Sequence, residues 1–222
     1  MRNLLNLLPP LLLLSFAGCS AAADSIVTQG RFRAEVWTDN WFSLHLGETP
    51  IAEDSVPITT QRSFNKEVFG FEGSYPLVLN FVVKDYKEND TGLEYIGTTQ
   101  QQMGDGGFIA QIKDTTTGRV IVVTNAAWRC LVVHRAPTNV ACEKDANPET
   151  TCASEITTEP VGWMAPGFDD SAWPMAREYT VAAVSPKDGY TEVAWDPAAK
   201  IIWSASLKQD NTLLCRVVVP EP

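Results

Sequence analysis

Histidine is scarce in this 222-residue chain: there are only two, His45 and His134. His45 alternates onto a polar face beside Ser43, the position of a surface residue rather than a general base. No HExxH helix, GxSxG elbow, phosphate loop or dinucleotide fingerprint occurs, which removes the zinc-peptidase, α/β-hydrolase and nucleotide-binding chemistries that announce themselves by motif. Basic residues are few as well. Seventeen Lys and Arg face 27 Asp and Glu, for a formal net charge of −10 and no basic cluster. Such a surface repels phosphate backbones and anionic headgroups, which argues against nucleic acid as a partner. Beyond the N-terminal run, no apolar stretch approaches the ~18 residues of a membrane span. Amphipathic helices longer than about two turns, internal repeats and low-complexity linkers are also missing.

What is present begins with Arg2 and an apolar run from Leu4 to Phe16, too short and interrupted to span a bilayer. Small residues follow it at once, so residues 1–23 are expected to be a secretion signal. Two endings compete. Ala17-Gly18-Cys19 resembles the lipobox of bacterial lipoproteins, which would make Cys19 the lipidation site and the lipid the only membrane attachment. Ala21-Ala22-Ala23 instead offers an ordinary small-x-small cleavage site and a soluble product starting at Asp24. Either way the chain is expected outside the cytoplasm, lipid-anchored at the cell envelope or secreted. Residues 24–222 have a length that suits one β-sandwich with its own core.

With Cys19 set apart, Cys130, Cys142, Cys152 and Cys215 remain. An even number in an exported chain points to two disulfides, and four cysteines allow three connectivities. The favoured one pairs Cys142 with Cys152 across a polar, Pro-containing loop and Cys130 with Cys215 as a staple between mid-chain and the last strand. A metal site is the weaker alternative, because no CxxC pair occurs.

Period-two alternation then dominates. Phe32, Ala34 and Val36 alternate with Arg33, Glu35 and Trp37, and Phe42, Leu44 and Leu46 with Trp41, Ser43 and His45. The Thr38-Asp39-Asn40 turn between them predicts a hairpin, with Trp37 and Trp41 on its outer side. Leu77 to Val83, Phe108 to Lys113, Arg119 to Thr124, Trp128 to Val133, Ile201 to Ser204 and Leu213 to Val219 read as further strands. Asp114 to Gly118 suits a hairpin turn. The expected fold is all-β, an antiparallel β-sandwich of jelly-roll type.

The order of these segments resembles the galactose-binding-like jelly-roll domains, such as the non-catalytic modules of bacterial α-rhamnosidases and β-galactosidases. The resemblance rests on Thr38 to Gly47, Pro76 to Asp85, Gly107 to Ala110 and Val123 to Arg129. Its most specific piece is Gly167-Phe168-Asp169-Asp170-Ser171-Ala172-Trp173, similar to the Phe-Asp-Asp-Ser-x-Trp turn of those modules. Departures are Leu46-Gly47-Glu48 in place of an Asn-Gly-Lys turn and Asn125 in place of an aspartate, and residues 179–222 have no counterpart.

The resemblance implies an exported, non-catalytic carbohydrate-binding module whose partner is a glycan or cell-surface component. Two other readings stand beside it: a structural or adhesive protein that binds other proteins, and a glycan hydrolase using a carboxylate pair among the 27 acids. Residues 93–107 form the candidate recognition loop, since Tyr95, Gln101, Gln102 and Asp105 lie among several glycines between two apolar strands. Tyr95 would stack on a sugar ring, Gln101, Gln102 and Asp105 would bind hydroxyls, and Trp41 would supply a second wall. No cofactor is expected. Asp85, Glu88 and Asp90 are a candidate set of oxygen ligands for a structural calcium, although they lack the ligand order of an EF-hand and a solvated charged loop is the favoured reading.

Overall fold

The computed structural model describes residues 29–222; the expected signal segment, Cys19, the Ala21–Ala23 site and Asp24 lie outside the described residues. Fourteen strands follow in chain order: β1 (Gln29–Asp39), β2 (Trp41–Leu46), β3 (Thr49–Glu53), β4 (Lys66–Ser74), β5 (Leu77–Lys84), β6 (Leu93–Glu94), β7 (Gln102–Met103), β8 (Gly107–Asp114), β9 (Val120–Val123), β10 (Arg129–Arg135), β11 (Glu155–Ile156), β12 (Arg177–Tyr179), β13 (Ile201–Trp203) and β14 (Asp210–Val219). One sheet has the order β12-β13-β8-β1-β4, with β9 also paired to β8; the other runs β11-β10-β14-β5-β2-β3. All their pairings are antiparallel.

Alternation decides which side chains meet between the sheets. Phe32, Ala34, Val36, Phe108, Ala110 and Ile112 come from the first sheet, and Phe42, Leu44, Leu79, Phe81, Val83 and Leu213 from the second. Each of the larger of these, Ala34 and Ala110 apart, contributes about 1.5–3 kcal/mol by leaving water. The rings of Phe81, Phe108 and Trp128 form the centre, with centroids 4.9 to 5.9 Å apart. The Trp128 indole N–H donates to the Val123 carbonyl at 2.9 Å, so its one polar atom is satisfied.

The expected hairpin of β1 and β2 does not form. β1 pairs with β4 and β8 in one sheet, whereas β2 pairs with β3 and β5 in the other. The Thr38-Asp39-Asn40 turn crosses the core instead, anchored where the Asn40 N–H donates to the Lys84 carbonyl and the Asn40 amide oxygen accepts from the Tyr86 N–H. Both strands keep their apolar faces on the same core in this arrangement, which is why alternation alone read as a hairpin.

Other expectations hold. β8 and β9 form a hairpin whose turn is closed by the Asp114 carboxylate, accepting from the Thr116 and Thr117 N–H groups, and by Gly118 at φ +72°. Both disulfides are present in the favoured connectivity, Cys130–Cys215 and Cys142–Cys152. Cys130 and Cys215 stand opposite each other on β10 and β14, so the staple reinforces a strand pair already in register. Two disulfides fit an oxidising compartment outside the cytoplasm. Among the described residues, no helix is long and apolar enough to cross a membrane.

The outer faces of both sheets are also covered. Residues 157–175 cross the second sheet, where Trp163 and Trp173 pack on Val82, Val133 and Leu214. Here the Asp-Asp turn has a structural role. Asp169 accepts from the Ser171 N–H, and Asp170 holds the buried Arg216 guanidinium at 2.6 Å. The segment after Tyr179 covers the first sheet through Val184, Tyr190 and Trp195, and then supplies β13 and the interior strand β14. Trp37, expected on an outer surface, is thereby fully buried, its indole N–H shared between the Phe64 and Asp188 carbonyls.

Candidate functional site

At one end of the sandwich the loop 93–107 folds back as its own hairpin, β6 on β7, with Leu93 opposite Met103 and Glu94 opposite Gln102. Tyr95 takes the left-handed conformation, φ +53°, and turns the chain away from the pair. Two glycines let the return strand press onto the body of the protein. A Cβ at Gly104 would lie 2.0 Å from the Asp85 carboxyl, and one at Gly106 would lie 2.3 Å from the Trp203 ring. Gln101 locks the tip: its amide nitrogen donates to the Glu143 and Asp145 carbonyls at 2.8 and 2.9 Å, and its amide oxygen accepts from the Gly97 N–H. The Lys144 ammonium donates to the Gln101 carbonyl.

A cleft of about 460 Å³ opens beside this hairpin. Glu94, Tyr95, Gln100, Gln102 and Asp105 form one wall, and Arg62 and Phe64 from the approach to β4 form another. Asp39 at the end of β1 lies at its base, and Lys187 reaches in from the loop after Ser185. The Lys187 ammonium sits 3.7 Å from the Asp105 carboxylate and 4.0 Å from that of Asp39. Phe64 is flanked by two cations, with the Lys187 nitrogen 4.3 Å and the Arg62 guanidinium 5.5 Å from the ring centroid.

Burial dominates the electrostatics of the acids. Asp39 is 1% exposed, and its Oδ2 has no hydrogen-bond partner among the described residues. Its carboxyl is held well above the usual range, first by burial and then by the charge of Asp105, with Lys187 opposing. Glu94 is raised too, by burial first, against the hydrogen bond it accepts from Gln102 at 3.1 Å. Behind the cleft, Asp85 is buried with neither carboxyl oxygen hydrogen-bonded, and burial followed by the charges of Asp39, Glu94 and Asp105 pushes it well above the ordinary range. The cleft therefore offers acids raised by burial, two rings and both signs of charge within one small volume.

The structure brings Tyr95, Gln102 and Asp105 together at this cleft. It does not place Gln101 or Trp41 there. Gln101 is 5% exposed because its side chain satisfies backbone groups of the neighbouring segment. Trp41 lies on the outer face of the second sheet, packed with the Trp163 and Trp173 cluster and capped by the Lys84 ammonium at 4.8 Å. Asp85, Glu88 and Asp90 do not converge either. Glu88 accepts from the Ile96 N–H, Asp90 pairs with Lys87, and Asp85 is enclosed behind Gly104. Among the described residues, no group of three or more His, Cys, Asp and Glu is arranged to hold a metal ion.

Sequence reasoning missed Asp39, Arg62, Phe64, Glu94 and Lys187. Only Glu94, adjacent to Tyr95, had a local signal. The chain matches no family model, no curated protein and no solved structure.

Proposed function

We propose that this protein is an exported carbohydrate-binding domain, and that the cleft beside the β6–β7 hairpin is its ligand site. The observation that carries this reading is the joining of the Tyr95 and Phe64 rings with Glu94, Gln102, Asp105, Arg62 and Lys187 around a volume of about 460 Å³. Sugar recognition needs that combination, an aromatic face for the C–H side of a pyranose and a ring of donors and acceptors for its hydroxyls. Rigid support favours it too, since the hairpin is tied down through Gln101 and through the Gly104 and Gly106 contacts. The likeness of Gly167–Trp173 and its neighbours to galactose-binding-like modules points the same way, and so does the signal segment, which would deliver the domain to the cell surface through Cys19 or release it at Asp24.

The test is a glycan array followed by titration calorimetry of the wild type and Tyr95→Ala on the glycans retained. Loss of the ring should weaken binding by about 1–3 kcal/mol, the scale of a desolvated aromatic anchor, with circular dichroism unchanged. Equal affinity in folded Tyr95→Ala would remove this cleft as the site, and an empty array would favour a protein-binding, adhesive role.

One observation favours a second reading, glycan hydrolysis. Asp39 and Asp105 both lie within 4.0 Å of the Lys187 ammonium, and burial raises the Asp39 carboxyl well above its ordinary range; two carboxyl groups at one cleft, one of them raised, are what glycoside hydrolysis uses. Release of reducing sugar from a polysaccharide panel, lost in Asp39→Asn, would establish it.

A further inference from the structure

We propose that the cleft selects acidic sugars, with the Arg62 guanidinium receiving the carboxylate of a uronate residue. The inference rests on the carbohydrate-binding reading above and adds the class of sugar.

Arg62 differs from the other cations at the cleft in making no direct ion pair, its charge reaching Asp39 and Glu94 only through space. Lys187 is shared by Asp39 and Asp105, and Lys144 is engaged with the Gln101 carbonyl and the Glu143 carboxylate. Among the described residues, Arg62 makes no hydrogen bond and no ion pair; its contact is the face of Phe64. Stacking of that kind orients a guanidinium while leaving its edge free, and the edge is the part that binds a carboxylate with two parallel hydrogen bonds. Arg62 is also solvent-exposed, so a ligand can reach it.

Three acids at the same cleft would oppose an anion, yet their surroundings blunt them. Asp39 is buried and its carboxyl favours the neutral form. Asp105 faces the Lys187 ammonium. Glu94 accepts the Gln102 amide, and burial raises it. In a chain of net charge −10, Arg62, Lys144 and Lys187 bring three of the 17 basic side chains to this one cleft. A sugar with one carboxylate at Arg62 and hydroxyls toward Glu94 and Gln102 fits the arrangement better than an uncharged one.

The experiment compares binding of tetragalacturonate, tetramannuronate and tetraguluronate with the same oligosaccharides after carboxyl reduction, alongside neutral and sulfated tetrasaccharides. At least one uronate should bind, and carboxyl reduction should weaken it tenfold or more. In Arg62→Gln the uronate should fall to the level of its reduced counterpart, while Arg62→Lys, which keeps the charge without the fork, should retain part of the preference. Thermal unfolding of each variant checks the fold, and the wild-type comparison stands without any variant. Equal binding of the uronate and its reduced form, or stronger binding of neutral or sulfated sugars, would overturn the acidic-sugar assignment and leave the carbohydrate reading intact. Binding of no glycan of any class would overturn both.

Discussion

Gly104 packs against the carboxyl group of Asp85 so closely that a Cβ at position 104 would lie 2.0 Å from Oδ2 and 2.7 Å from Cγ. Asp85 is 2% exposed and cannot swing into solvent to make room. Gly104→Ala should therefore push the β7 side of the hairpin outward, with a loss of about 1–3 kcal/mol, the usual cost of overpacking a tight interior. Ligand affinity should fall with it, because Gln102 and Asp105 flank the displaced residue. Chemical denaturation measures the first effect; a variant as stable as wild type would show that the hairpin is not seated as described.

Asp170 is the partner of a nearly inaccessible guanidinium. Its Oδ2 lies 2.6 Å from Arg216, whose side chain is 2% exposed and is also held by the Ala165 carbonyl. Removing the carboxylate strands a buried charge, so Asp170→Ala should cost about 3 kcal/mol or more. Asp169→Ala, which deletes a turn hydrogen bond at the surface, should cost far less. Denaturant midpoints of the two variants supply the comparison, and similar losses would contradict the buried-pair role.

The acids also set a pH dependence. Burial pushes Asp54 up to about 6 from its ordinary 3.8, although it accepts the Val56 N–H. Between those values the folded chain keeps a proton that the unfolded chain has released, so the contribution of Asp54 is full below about 3.8 and is lost as pH rises through about 6. Asp39 and Asp85 act in the same direction. Asp54→Asn should flatten the pH profile of Tm across that window relative to wild type, and identical profiles would contradict the assignment.

The two disulfides should differ in weight. Cys130–Cys215 spans a separation of 85 residues and Cys142–Cys152 one of 10. Loop-closure entropy alone then gives about 4.6 kcal/mol for the first and about 2.7 kcal/mol for the second. Paired replacement by alanine should rank the denaturant midpoints in that order, and the unreduced protein should show no free thiol among these four cysteines.

Much of this was legible in the linear chain because period two is a strong local signal. Leu77, Leu79, Phe81 and Val83 declare an inward face wherever their strand is placed, and an even set of cysteines in a chain expected to be exported points to disulfides. The 93–107 segment likewise announced a polar loop between apolar strands, and Tyr95, Gln102 and Asp105 do line the cleft.

Pairing and depth were decided by the tertiary structure. Alternation says which face of β1 is apolar but not which strands flank it, so β1 and β2 could share a core while belonging to different sheets. It could not foresee that residues 180–200 would cover Trp37, or that the Gln101 amide would turn inward to backbone carbonyls and leave the cleft wall to its neighbour Gln102. Asp39, Arg62, Glu94 and Lys187 have no sequence pattern in common. Their meeting depends on β1, the approach to β4, the β6–β7 hairpin and the loop before Asp188 all ending at one edge of the sandwich. The chain by itself determined the strands, their apolar faces and the cysteine staples, because those depend on neighbours two residues apart or on a simple count. The site depends on contacts across as many as 148 positions, from Asp39 to Lys187, and only the packed sheets create those.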